Sequence, residues 1–135
     1  MISGPTGRGA ALGRRAPVGS SPAAAFARRL IEERRRRGQA LGADMFGEPA
    51  WDMLLLLFLA NEEGRHVSVS ALCAELPAPA TTAHRWMLLL VEKGLLVRIG
   101  DRQDRRRSFV YLSAEGARRM GTLLAAFAAG RTALA

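Results

Sequence analysis

The feature that most limits the fold lies between Leu95 and Leu112. Two β-favouring runs, LLVRI and FVYL, flank DRQDRRRS, in which four arginines and two aspartates occupy eight residues. Neither run is long enough for a helix of its own, and the stretch between them holds nothing to bury. The pattern predicts an antiparallel hairpin with a long charged tip. What precedes it sets its surroundings. Ser68 is placed to N-cap a short helix through VSALCAEL, with Val69, Leu72, Cys73 and Leu76 facing inward. Pro77-Ala78-Pro79 then breaks the chain, and ATTAHRWMLLLVEKG follows as a second helix closed by Gly94. Two short helices across a tight turn form a helix-turn-helix. With the hairpin directly after it, the segment predicts a winged helix.

Two longer helices flank that unit. Ser21-Pro22 is a helix-start pair, and AAAFARRLIEERRRR carries Phe26, Leu30 and Ile31 on one side up to Gly38, where the helix is expected to stop or fray. Glu48-Pro49 opens WDMLLLLFLANEEG, apolar on most faces and so expected at the centre of the fold, with Gly64 as its stop. Val67 adds one or two extended residues at most. After the hairpin, Ser113 caps AEGARRMGTLLAAFAAG, whose Met120, Leu123, Leu124 and Phe127 are spaced for one face. Residues 1–20 are rich in Gly, Pro, Ser and Arg and read as a disordered basic arm. The expected fold is mainly α with a small β-hairpin: a winged helix-turn-helix with a long N-terminal helix and one C-terminal helix, residues 21–135 forming the domain.

The 135 residues carry a formal net charge of +8, unevenly spread. Residues 1–39 are net +7, residues 40–96 net −4 and residues 97–135 net +5. Two basic regions around an acidic middle point to local contact surfaces for an anionic partner rather than to general adhesion. The longest apolar run, Met53 to Ala60, falls far short of the roughly 20 residues that span a bilayer. No continuous apolar stretch near the N-terminus resembles a secretory signal. The single Cys73 makes neither an internal disulfide nor, by itself, a thiolate metal site, which fits a reducing, cytoplasmic setting. No Ser/His/Asp group, glycine-rich phosphate loop, carboxylate pair or metal-ligand spacing is present, so neither catalysis nor a cofactor nor a metal is expected.

From about Phe46 to Met120, about three-fifths of the chain, the sequence resembles the MarR family of winged-helix transcription regulators. VSVSALCAEL, VEKGLLVR and, most specifically, DRQDRRRSFVYLSAEG carry the resemblance. It implies binding of double-stranded DNA by a homodimer on a near-palindromic operator, often relieved by a small ligand or by oxidation. No residue pattern here indicates a small-molecule effector. In that family a wing acid and arginine brace the loop while a neighbouring arginine reaches the minor groove, and the match falls on Asp101, Asp104, Arg105 and Arg106. The family usually places two helices after the wing; about 20 residues follow Gly116, room for one. The long first helix and this last one are the expected dimerisation elements.

Roles follow from position. Thr81, Thr82, His84 and Arg85 lie in the first turns of the second short helix, the part that reaches base edges in a major groove. Ala83, Trp86, Met87 and Leu90 are assigned to the core. Arg102, Arg105 and Arg106 are assigned to phosphates or the minor groove, Asp101 and Asp104 to bracing, and Arg107 is free to point back across the hairpin. Plainer readings stand beside these: a solvated helix face, a merely soluble loop, a buried inert thiol at Cys73, and solvated or backbone-facing charge at Arg34 to Arg37. Leu88 and Leu89 interrupt the polar face of a reading helix. They keep open a second function, a winged helix that docks on protein within a larger assembly.

Overall fold

The computed structural model describes residues 21–42 and 48–134. The arm expected over residues 1–20 lies outside them. The described elements are α1 (Pro22–Leu41), α2 (Pro49–Glu63), β1 (Val67–Ser68), α3 (Val69–Glu75), α4 (Ala80–Glu92), β2 (Leu96–Gly100), β3 (Ser108–Leu112) and α5 (Ala114–Leu134). The order is that of a winged helix with one long helix on either side.

Ser21 opens α1 by accepting the Ala24 N–H at 3.0 Å, with Pro22 in the first turn, where its missing N–H costs nothing. The helix does not stop at Gly38. It continues to Leu41 and ends at Gly42, whose φ of 107° suits glycine and whose N–H returns to the Gly38 carbonyl at 2.8 Å. One interior glycine costs a helix only about 1 kcal/mol. Three side-chain bridges hold the part of α1 that precedes it. Ser21 Oγ donates to Glu62 at 3.0 Å, Arg28 pairs with Glu63 at 3.2 Å, and Arg34 Nε bonds Asp52, which runs α1 antiparallel to α2.

The apolar helix α2 is central: Met53, Leu55, Leu57, Phe58, Leu59 and Ala60 are buried, and α1, α4, α5 and β3 pack around it. Gly64 ends it in the left-handed region at φ 73°. The hairpin is one strand wider than the sequence pattern predicts. β1 pairs antiparallel with β3, Val67 opposite Val110, so the sheet order is β1-β3-β2. Two residues suffice because β1 only ties the end of α2 to the wing.

The junction from wing to α5 is tightly specified. Ser113 Oγ donates to the Gly94 carbonyl at 2.6 Å and accepts the Gly116 N–H at 2.9 Å, while Ser113 N–H bonds the Leu95 carbonyl at 2.9 Å. A Cβ on Gly116 would meet the Leu95 carbonyl oxygen at 2.2 Å, so only glycine fits there. Beyond it, Met120 and Leu124 are buried, but Leu123 and Phe127 are exposed, contrary to the single inward face expected. The strip of α5 laid against α1 and α2 is narrow, and the Phe127 ring merely edges Phe26 at 6.2 Å between centroids.

Candidate nucleic-acid interface

The helix-turn-helix pair forms as its caps dictate. Ser68 Oγ accepts the Ala71 N–H at 3.1 Å and starts α3, whose Leu72 and Cys73 are buried. Pro79 precedes α4, and no side chain caps its first turn. The open N–H groups and the positive end of the helix dipole therefore face outward at Ala80 to Thr82. Ala83, Met87 and Leu90 fix the inner side of α4. Thr81 and Arg85 are exposed, and Thr82 and His84 half-buried. Trp86 departs from its expected place in the core: it sits at the edge of the buried strip and is 37% exposed, beside Leu89.

The wing tip is built by its aspartates. Backbone bonds close it, from the Asp101 N–H to the Arg107 carbonyl at 2.9 Å and from the Arg107 N–H to the Asp104 carbonyl at 3.0 Å. Inside that frame Asp101 Oδ1 accepts the Gln103 N–H at 2.9 Å and Asp104 Oδ1 accepts the Arg106 N–H at 3.0 Å. Each carboxylate folds its own turn two residues on, as short acidic side chains do in loops. The contact from Arg106 Nε to Asp104 is long, at 3.4 Å, and the arginine is 92% exposed, so it holds the guanidinium weakly. Arg102 and Arg105 are exposed and make no ion pair or hydrogen bond among the described residues. Arg107 points back, its guanidinium 4.9 Å from the centre of the Phe109 ring, a cation–π contact.

Between α3, α4 and the wing lies an open cleft of about 900 Å³. It gathers Thr81, His84, Asp104 and Arg106 from the residues singled out in the sequence. Thr82, Arg85, Asp101, Arg102 and Arg105 lie off its lining. Arg98 and Ser108 line it as well and escaped the sequence reading; Arg98 Nε donates to Ser108 Oγ at 3.1 Å across the hairpin. Strand alternation was the available signal, because Val97 and Ile99 flank Arg98 and take the opposite face. Cys73 edges the cleft, and burial pushes its thiol above the ordinary range, which disfavours the thiolate. No group of three metal-binding side chains occurs among the described residues, and none of their helices is long and apolar enough to cross a membrane.

A helix-turn-helix whose second helix shares a cleft with an arginine-tipped three-stranded wing defines a winged-helix protein. Residues 48–107, from the start of α2 through the wing tip, match the model of the MarR family. The crystal structure of S. aureus MepR in its DNA-binding conformation aligns with a TM-score of 0.55 at 20% identity, covering 82% of this chain and 80% of that one. A glycine-to-lysine mutant of S. aureus MepR gives 0.57 at the same identity and coverage. Heme-free PefR gives 0.50 at 12% identity, covering 78% of this chain and 88% of its own. At such identities the likeness is one of fold. No curated protein sequence matches the chain.

Proposed function

We propose that the protein is a sequence-specific, DNA-binding transcription regulator of the cytoplasm. The observation that carries this reading is the shared cleft, onto which the first turn of α4 and the arginine wing both open. A B-form major groove is wide enough for a helix, and its edges distinguish all four base pairs. In this reading Thr81, Thr82, His84 and Arg85 meet base edges while Arg102, Arg105 and Arg106 meet phosphates or the adjacent minor groove. Asp101 and Asp104 keep the loop in the shape that aims those arginines. The basic residues 1–20 add contacts to the DNA backbone. α1 and α5, with Leu123 and Phe127 exposed, pair two copies across a near-palindromic site.

The test is affinity for duplex DNA as a function of salt. A linear fall of log affinity with log salt is expected, with a slope reduced by about one unit for each of Arg105→Ala and Arg106→Ala. Wild-type and variant proteins that bind equally poorly at low salt would overturn the reading. One observation favours a second function: Trp86, Leu88 and Leu89 leave an apolar strip exposed on α4, which suits docking on another protein. That reading predicts partner binding that survives removal of the wing arginines.

A further inference from the structure

The outward face of α4 is not the uniformly polar stripe expected of a base-reading helix. At about 100° per residue, Leu88 projects within about 20° of Thr81 and about 60° of Arg85. It is 42% exposed, while the side chains that anchor the helix, Ala83, Met87 and Leu90, lie on the opposite side. Leu88 thus stands in the same surface as Thr81 and Arg85, about 4.5 Å further along the axis than Arg85. Leu89 is turned further round, toward Trp86.

The surroundings of Leu88 select its occupant. Arg85 shares its face, is exposed, and makes no ion pair among the described residues. An apolar side chain beside an uncompensated cation on a helix face fits a polyanion that carries an isolated apolar spot. A wholly apolar protein surface would have to desolvate that cation without pairing it. On the base edges of a major groove the one alkyl group is the thymine 5-methyl. We infer that Leu88 packs on thymine 5-methyl groups, making it a specificity-determining residue that requires an A·T pair beside the one met by Arg85. The inference rests on the DNA-binding reading above and adds a chemical identity to one position of the site.

The experiment uses the full chain and a duplex enriched by it from a random-sequence library. The enriched duplex is resynthesised with deoxyuridine replacing thymidine, first throughout and then one position at a time. This keeps pairing, phosphates and every hydrogen-bonding group and removes only methyls. Wild-type affinity is expected to fall about fourfold for each methyl that Leu88 covers, with the salt slope unchanged. Leu88→Ala should bind both duplexes alike, and Leu88→Met, which keeps the volume, should restore the preference. Circular dichroism of each variant checks that it is folded. Equal wild-type affinity for the two duplexes overturns the inference while leaving DNA binding intact. So does full retention of the preference in folded Leu88→Ala, which assigns the methyl contact to another residue. If no duplex is enriched at all, the DNA-binding reading falls and takes this inference with it.

Discussion

The arginines of α1 and those of the wing look alike in the sequence and are used in opposite ways. Along α1, Arg28 reaches Glu63, Arg34 reaches Asp52 and Glu48, and Arg35 and Arg36 both reach Glu32. Their charge is met within the chain, and two of these contacts bind α1 to α2. In the wing the two carboxylates bond backbone N–H groups instead, which leaves the guanidiniums of Arg102, Arg105 and Arg106 uncompensated or nearly so. Net charge therefore says little about where a partner binds. What separates a strut from a contact surface is whether each cation has already found its anion within the chain.

The widest gap between the two regions should appear on removing Arg105 and Arg106 together. Loss of two phosphate contacts is expected to weaken duplex binding by about tenfold or more at moderate salt. The melting temperature should hardly move, since neither side chain is packed. A fluorescence anisotropy titration alongside a thermal melt reads both. A loss of stability matching the loss of affinity would erase the distinction.

Arg34→Ala should show the reverse. Its side chain is 16% exposed and that of Asp52 13%, so removing the cation strands a largely buried carboxylate. A destabilisation of about 1–3 kcal/mol is expected by urea unfolding. DNA affinity, measured on the folded fraction, should be unchanged. If Arg34→Ala weakened DNA binding without destabilising the fold, α1 would belong with the wing.

The contrast also marks how far the sequence could be read. Much of what local pattern carries was legible: the Ser68 and Ser113 caps, the Gly64 stop, the inward Leu72 and Met87, the hairpin and its place after the helix pair, though not the run of α1 through Gly38 or the exposure of Leu123 and Phe127. What escaped depends on partners distant in sequence. Nothing near Arg34 announces Asp52 eighteen positions on, and that bridge ties α1 to α2. Nor does β1, two residues long, signal its pairing with β3. Trp86 was misassigned because a tryptophan at helical spacing is usually covered, and the covering depends on how narrow a strip α4 buries. At the cleft, Thr81, His84 and the wing arginines were legible as candidates, whereas Arg98 is signalled only by strand alternation, with which the register Arg98 opposite Val110 agrees.

A smaller effect tests the strut side of the comparison through pH. Hydrogen bonding from Arg65 and then Arg28 holds the Glu63 carboxyl below the usual carboxylate range. A carboxyl with a depressed folded-state value stabilises the fold above its unfolded value and ceases to do so as pH falls through the folded one. Glu63→Gln should therefore cost stability near neutral pH and nothing in strong acid. Because Arg28 is 42% exposed and Glu63 26%, the loss should stay near 0.5 kcal/mol after solvent screening. A difference between wild type and Glu63→Gln that persists at low pH would mean that packing, not charge, joins the end of α2 to α1.

The smallest expected effect is the most decisive in sign. Asp104→Ala makes the wing more positive, and a wing that were merely a charged loop would bind DNA more tightly for it. In this structure Asp104 Oδ1 accepts the Arg106 N–H, and the Asp104 carbonyl accepts the Arg107 N–H, so the residue shapes the turn that carries two arginines. Removing the carboxylate frees that turn, and each backbone residue it releases must be ordered again on binding, at about 1 kcal/mol or more. Relief of the weak Arg106–Asp104 attraction offsets part of that cost, because exposed pairs contribute well under 1 kcal/mol. The two terms oppose each other, and the expected net is about twofold weaker binding with an undiminished salt slope. Asp104→Asn separates them further: it keeps an oxygen to accept the Arg106 N–H while removing the charge, and should bind at least as tightly as wild type. Tighter binding by both variants would make the wing a simple electrostatic loop after all.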